Sequence, residues 1–174
     1  MQFRLMEKPM YNFPKVGPEQ ERFSLFTGEW DSQVRFYFDP PNHRWRRSGA
    51  ISPSSILAAI FDREFEVQLD DAGDFAELAF HGRGLTGYDP FAGRYLGIWA
   101  DSGSPALYRT EGTFDASGKV FTESSVGPGP DGKELHLRLI TEVIDPDRQR
   151  FSIQRLMATG EDVLIPEMVH ARRQ

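Results

Sequence analysis

The segment HGRGLTGYDPFAGRYLGIWADS, from His81 to Ser102, constrains the fold more than any other part of the chain. It holds a complete G-x-G-x-x-G in Gly82, Gly84 and Gly87. A dinucleotide fingerprint requires a helix to open at those glycines, so that its N-terminus faces the pyrophosphate. Here they lead into Gly87-Tyr88-Asp89-Pro90, a turn, and then into Arg94-Tyr95-Leu96-Gly97-Ile98-Trp99, which reads as a strand. Protein kinases do set such a loop on a hairpin, but the chain has no Asp-Phe-Gly and no catalytic-loop Asp-Asn pair. Glycine inside a strand marks a bulge or a tight bend at a barrel corner. The segment therefore predicts a hairpin corner in an all-β protein.

The rest of the chain agrees. Trp30, Ser32, Val34, Phe36 and Phe38 alternate with Asp31, Gln33, Arg35 and Tyr37, which is period two with one apolar face. Further strand runs span 45–51, 61–69, 75–85, 94–100, 106–114, 120–126, 134–144, 151–158 and 163–171. Turn chemistry separates them at Asp39-Pro40-Pro41-Asn42, Asp71-Ala72-Gly73-Asp74, Asp115-Ala116-Ser117-Gly118, Pro130-Asp131-Gly132, Asp145-Pro146-Asp147 and Gly160-Glu161-Asp162. Asp and Asn bond their own backbone at such places, and Gly supplies positive φ. Ser54 to Ile60 reads equally as a helical turn or an irregular strand. Pro18 to Phe26 predicts a short helix, with proline and acids in its first turn and Gly28 to stop it. About ten short strands at even spacing predict a closed antiparallel barrel, because closure removes sheet edges.

At 174 residues the chain suits one domain, with 1–17 as an extension and 18–174 as the barrel. With no cysteine, disulfides and thiolate chemistry are excluded. The net charge of −6 argues against nucleic-acid binding, which needs clustered cations. The one basic knot, Arg44-Trp45-Arg46-Arg47, reads as a solvated strand face. Glu7, Lys8 and Pro9 break the N-terminal apolar run, so no signal peptide is expected, and no membrane segment is expected either. The expected location is cytoplasmic.

Gly28-Glu29-Trp30 after a short helix resembles the opening of lipocalin-type barrels. From about Glu19 onward the chain resembles a bacterial family of uncharacterised lipocalin-like (calycin-like) proteins, known only as a domain of unknown function. The resemblance rests on Leu25 and Gly28-x-Trp30, on Gly82-x-Gly84-x-x-Gly87-Tyr88-Asp89, and on Trp99-Ala100-Asp101-Ser102. It continues through Glu111 to Asp115, Arg138 to Val143 and Glu167 to Arg172. His170 departs from it, since a tyrosine is usual there, and so does the segment Pro53 to Ser55. The resemblance implies a late-strand arginine, Arg172, stacked across Trp30 to close the barrel floor. It carries over no catalytic residue.

Candidate chemistry is sparse. His43, His81, His136 and His170 have no metal-ligand spacing, and no metal is expected. A haem-binding branch of similar barrels carries its iron ligand on a late strand, where His170 sits. Its neighbour Arg172 and the usual tyrosine favour a structural role, and no cofactor is expected. On 134–144 both faces carry apolar residues, so the inward one is open. If the Arg138 face points inward, Arg138 needs a partner, and Glu111 and Glu167 are available. A buried Arg–Glu pair would orient a ligand carboxylate or hydroxyl. The leading expectation is a small, mostly apolar ligand held inside the barrel by Trp30, Tyr88, Trp99 and Tyr108, with Arg138 as the polar anchor. The alternatives are an isomerase- or lyase-type enzyme on a small hydrophobic substrate, and a filled barrel acting through its surface. In that last case Leu96, Ile98 and Ala100 are the adhesive face, and a homodimer is allowed.

Overall fold

A computed structural model describes residues 16–37, 44–51, 54–57, 59–68, 79–129 and 131–174. The predicted turns at 39–42 and 71–74, most of the extension 1–17, and the side chains of the basic knot lie outside the described residues. Eleven strands are found among the described residues: β1 (Trp30–Tyr37), β2 (Arg44–Ile51), β3 (Ser54–Leu57), β4 (Ile60–Gln68), β5 (Ala79–Asp89), β6 (Arg94–Asp101), β7 (Ser104–Phe114), β8 (Val120–Pro128), β9 (Glu134–Asp145), β10 (Arg148–Leu156) and β11 (Asp162–Arg172). They form one antiparallel sheet in the order β2-β1-β11-β10-β9-β8-β7-β6-β5-β4-β3.

That sheet curls strongly into a half-barrel, and the closed barrel expected from the sequence is corrected. Among the described residues the two ends meet where Ala50 faces Val67 and Ile51 faces Glu66, and in one bridge between Gly28 and Ser54. The reason is local. Ser54 to Leu57, ambiguous in the sequence, forms β3, which pairs with Ile60 to Arg63 on β4. That edge of β4 is taken, so only its far half reaches β2.

The helical segment is also tighter than predicted. Pro18–Glu21 (α1) is one α-turn, and Arg22–Phe26 continues as a 3-10 turn. The segment carries Phe23 and Phe26 into one end of the curled sheet, against Phe61, Tyr95, Phe114 and Phe121. Phe23 stacks on Phe61 at 4.8 Å between centroids and meets Tyr95 edge-on at 5.0 Å. Each buried phenylalanine contributes about 1.5–3 kcal/mol, which is how so short a helix is held.

Next to this plug, Trp30 is 2% exposed, and its Nε1 donates to the Phe26 carbonyl at 3.2 Å. β1 pairs with β11 so that Trp30 faces Arg172. The Arg172 guanidinium lies 4.1 Å from the Trp30 ring centroid and donates to the Thr27 carbonyl at 2.9 Å. Gly28 makes this stack feasible: its φ is +136°, and a Cβ there would overlap Arg172 Nη1.

The three glycines of the opening motif serve Trp99 and Ile60. β5 runs straight through them and turns only after Asp89, whose Oδ1 accepts from the amides of Phe91 and Ala92. Gly84 faces Trp99 across the β5–β6 ladder. A Cβ at Gly82 would overlap the indole, one at Gly84 would come within 2.9 Å of it, and one at Gly87 within 2.7 Å of Ile60 Cδ1. Gly82 and Gly84 are absent side chains that let one large ring lie against the sheet.

Candidate functional site

Side chains alternate along each strand, and the inward rows surround a cavity of about 290 Å³. This is the lower edge of the ~300–1,000 Å³ typical of ligand sites. Trp30, Phe61 and Phe65 line it from β1 and β4, Trp99 and Tyr108 from β6 and β7, and Leu135, Leu137 and Leu139 from β9. Phe151 and Met168 complete the wall from β10 and β11. The interior is neither filled nor large.

Arg63 stands among these apolar groups. β4 places it on the inward parity between Phe61 and Phe65, both buried. Its guanidinium carbon is 5.0 Å from the Phe151 ring centroid and 5.8 Å from that of Trp99. Burial pulls its pKa below the ordinary value, and the Glu123 carboxylate opposes this. An arginine stays charged regardless. Glu123, 2% exposed, reaches it from β8 with 3.8 Å between Oε2 and Nη2. That separation is too long for a hydrogen bond. Two residues along β8, Ser125 turns its Oγ into the cavity wall, buried and without a hydrogen-bond partner.

His170 lies on the same inner surface. β1 and β11 set Ser32 opposite His170, and Ser32 Oγ is 2.5 Å from His170 Nδ1. Burial, and then the positive charge of Arg63, lower the His170 pKa to about 4. The imidazole is therefore neutral near pH 7. At the rim Trp99 Nε1 donates to Asp101 Oδ2 at 2.7 Å, and the Tyr108 hydroxyl donates to the Pro128 carbonyl at 3.1 Å.

Of the residues singled out from sequence, Trp30, Trp99 and Tyr108 converge on the cavity. Tyr88 does not. It packs edge-on against Tyr95, 5.1 Å between centroids, in the aromatic plug. Tyr95 in turn donates to the Glu19 carbonyl at 2.7 Å, with burial pushing its pKa up to about 12. Arg138, Glu111 and Glu167 all face outward. Arg138 is bound to Asp162, Glu111 pairs with Arg94 at 2.7 Å, and Glu167 sits between Arg35 and Arg150. The inward face of β9 is the one carrying Leu139 and Thr141. The expected pair of Arg138 with Glu111 or Glu167 is not formed; a different ion pair, Arg63 with Glu123, joins β4 and β8 on the inner side. One signal was available: Phe61-x-Arg63-x-Phe65-x-Val67 and Phe121-x-Glu123-x-Ser125 each set a charge inside an inward alternation.

Among the described residues no three His, Asp or Glu groups gather to hold a metal, and no helix is long and apolar enough to cross a membrane. Fold and site together define an all-β protein whose curled antiparallel sheet wraps a small apolar cavity with Arg63 in its wall. Residues 15–172 match the family described as a protein of unknown function (DUF1579), and the chain belongs to that family. No curated protein matches it.

Proposed function

We propose that this protein binds a small, mostly apolar molecule in the cavity, with Arg63 as the polar anchor. The carrying observation is the pairing of an aromatic- and leucine-lined space of about 290 Å³ with a guanidinium that makes no hydrogen bond among the described residues. A mainly apolar wall with a few convergent polar groups is the usual make-up of a ligand site. At ~30 Å³ per water-sized group, the space suits on the order of ten heavy atoms. We read the curled sheet as lipocalin-like, on the strength of the Gly28-x-Trp30 opening and the Arg172 stack. An enzyme acting on the same kind of molecule is the second reading, favoured by one observation: a neutral His170 bonded to Ser32 at the cavity wall.

Native mass spectrometry of protein purified from its own host tests the binding reading. The expected result is an added small mass that disappears on denaturation. Leu139→Trp, which fills the cavity, should abolish that mass at an overpacking cost of about 1–3 kcal/mol. Bare polypeptide in repeated preparations, or a mass that survives Leu139→Trp, overturns it.

A further inference from the structure

We propose that the cavity holds a ligand hydroxyl, as of a phenol or an alcohol, between His170 and Gln149. This names a chemical class for the binding reading above and rests on it. Three polar residues stand side by side on the inner surface: Ser32 on β1 faces His170 on β11, which faces Gln149 on β10. Residues opposed across an antiparallel pair have Cβ atoms ~4.5–5.5 Å apart on one face of the sheet. All three are buried. His170 and Gln149 line the cavity, whereas Ser32 does not.

Each of the two cavity residues has one polar atom committed and one left over. Gln149 Nε2 donates to the Leu25 carbonyl at 3.1 Å. A carbonyl only accepts, so this bond orients the amide and leaves Oε1 as an acceptor. His170 Nδ1 is held by the Ser32 hydroxyl at 2.5 Å, which leaves Nε2. Neither Oε1 nor Nε2 has a hydrogen-bond partner among the described residues. Neither is sealed from contact, since among those residues the Ser125 hydroxyl alone is both sealed and unpartnered.

With Ser32 donating to Nδ1, the neutral ring carries its proton on Nε2. A donor and an acceptor then stand as neighbours in the cavity wall. A hydroxyl matches both, accepting from Nε2 and donating to Oε1. A ketone offers acceptors alone and leaves Oε1 facing a lone pair. An ammonium offers donors alone and meets the Nε2 proton, and a methyl matches neither. The ligand thereby gains a second polar contact besides Arg63.

The test is calorimetric titration of the full chain with para-propylphenol, para-propyltoluene, para-ethylacetophenone and para-methylphenethylamine. All four have about ten heavy atoms, the size the cavity admits. They offer, in turn, a donor with an acceptor, neither, an acceptor alone and donors alone. The phenol should bind at least about tenfold more tightly than each of the others at about pH 7.5. Any of them matching the phenol overturns the inference and leaves the binding reading standing. Silence from all four overturns the inference too, and the binding reading falls with it only if the native protein also carries no ligand mass.

Two further measurements assign the contacts. Nitrogen NMR of the parent imidazole should find the proton on Nε2, with Nε2 shifting more than Nδ1 when the phenol binds. A proton on Nδ1 in the complex overturns the assignment, whether or not any variant folds. Gln149→Met removes Oε1 at similar volume and should cut the preference for phenol over toluene to about threefold or less. An unchanged preference in the folded variant removes Gln149 from the site and overturns the donor–acceptor pair.

Discussion

Acidification should destabilise this protein through His170 before it does so through Asp115 or Asp145. In the folded state burial and Arg63 hold the His170 pKa at about 4, against 6.5 for the ordinary group. Above the unfolded value both states carry a neutral ring, and the stabilisation is fully present. As the pH falls from 6.5 towards 4, the unfolded chain takes up a proton that the folded one refuses. Each pH unit in that window then removes ~1.4 kcal/mol. By about pH 4 the loss is on the order of 3 kcal/mol, a large share of the ~5–15 kcal/mol holding a domain together. Asp115, bonded by Ser117, and Asp145, bonded by Arg148, have pKa values below the usual carboxylate range, so their losses come at still lower pH. His170→Asn keeps a polar group opposite Ser32 and has no proton to gain. Urea melts of both proteins between about pH 7.5 and 4 give the difference directly. The parent should lose stability relative to the variant, with most of the change below about pH 6.5. A difference that varies by less than ~0.5 kcal/mol across the window refutes the placement of a neutral, buried His170.

The floor, the corner and the charged pair each yield a further expectation. Trp30→Ala deletes a buried ring with its Arg172 stack and should cost about 3–5 kcal/mol in urea melts, and a loss under ~1 kcal/mol would remove Trp30 from the core. Gly82→Ala forces a methyl into Trp99, which should cost about 1–3 kcal/mol and shift the tryptophan emission. An unchanged spectrum would deny the contact. Glu123→Ala alone leaves Arg63 buried without its counter-charge and should cost about 3–5 kcal/mol. The double change Arg63→Met with Glu123→Leu should restore most of that loss, and equal instability in both proteins would mean the pair is not coupled.

The strand plan was legible because period two is written plainly where one face is buried. Trp30, Ser32 and Val34 are buried as their alternation requires, and runs such as 94–100 and 134–144 fall within a residue or so of β6 and β9. Closure was not legible, since it turns on whether β3 or β2 takes the edge of β4, a competition between distant segments. Polar anchors were misplaced on β9 because Leu135 to Ile144 is apolar on both faces, which leaves parity undetermined there. On β4 and β8 parity was determined, and Arg63 and Glu123 stood in it as exceptions. The three glycines read as a bend at a corner but lie inside β5, and the use of Gly82 and Gly84 as room for Trp99 depends on a neighbouring strand that sequence adjacency does not weigh.

The pairing of β1 with β11 sets an order of events during synthesis. Trp30 and Arg172 must both exist before the aromatic floor is latched. Neighbouring strands from β4 through β11 pair mostly with their sequence neighbours, so hairpins form as the chain leaves the ribosome. Throughout that time β1 has β2 on one edge, while the edge beside Val34 that β11 will cover stays open. Contacts of such long sequence separation slow folding and leave an open edge available to other chains. A nascent chain arrested before β11 emerges therefore displays an unfinished sheet, the form in which a chaperone would meet it.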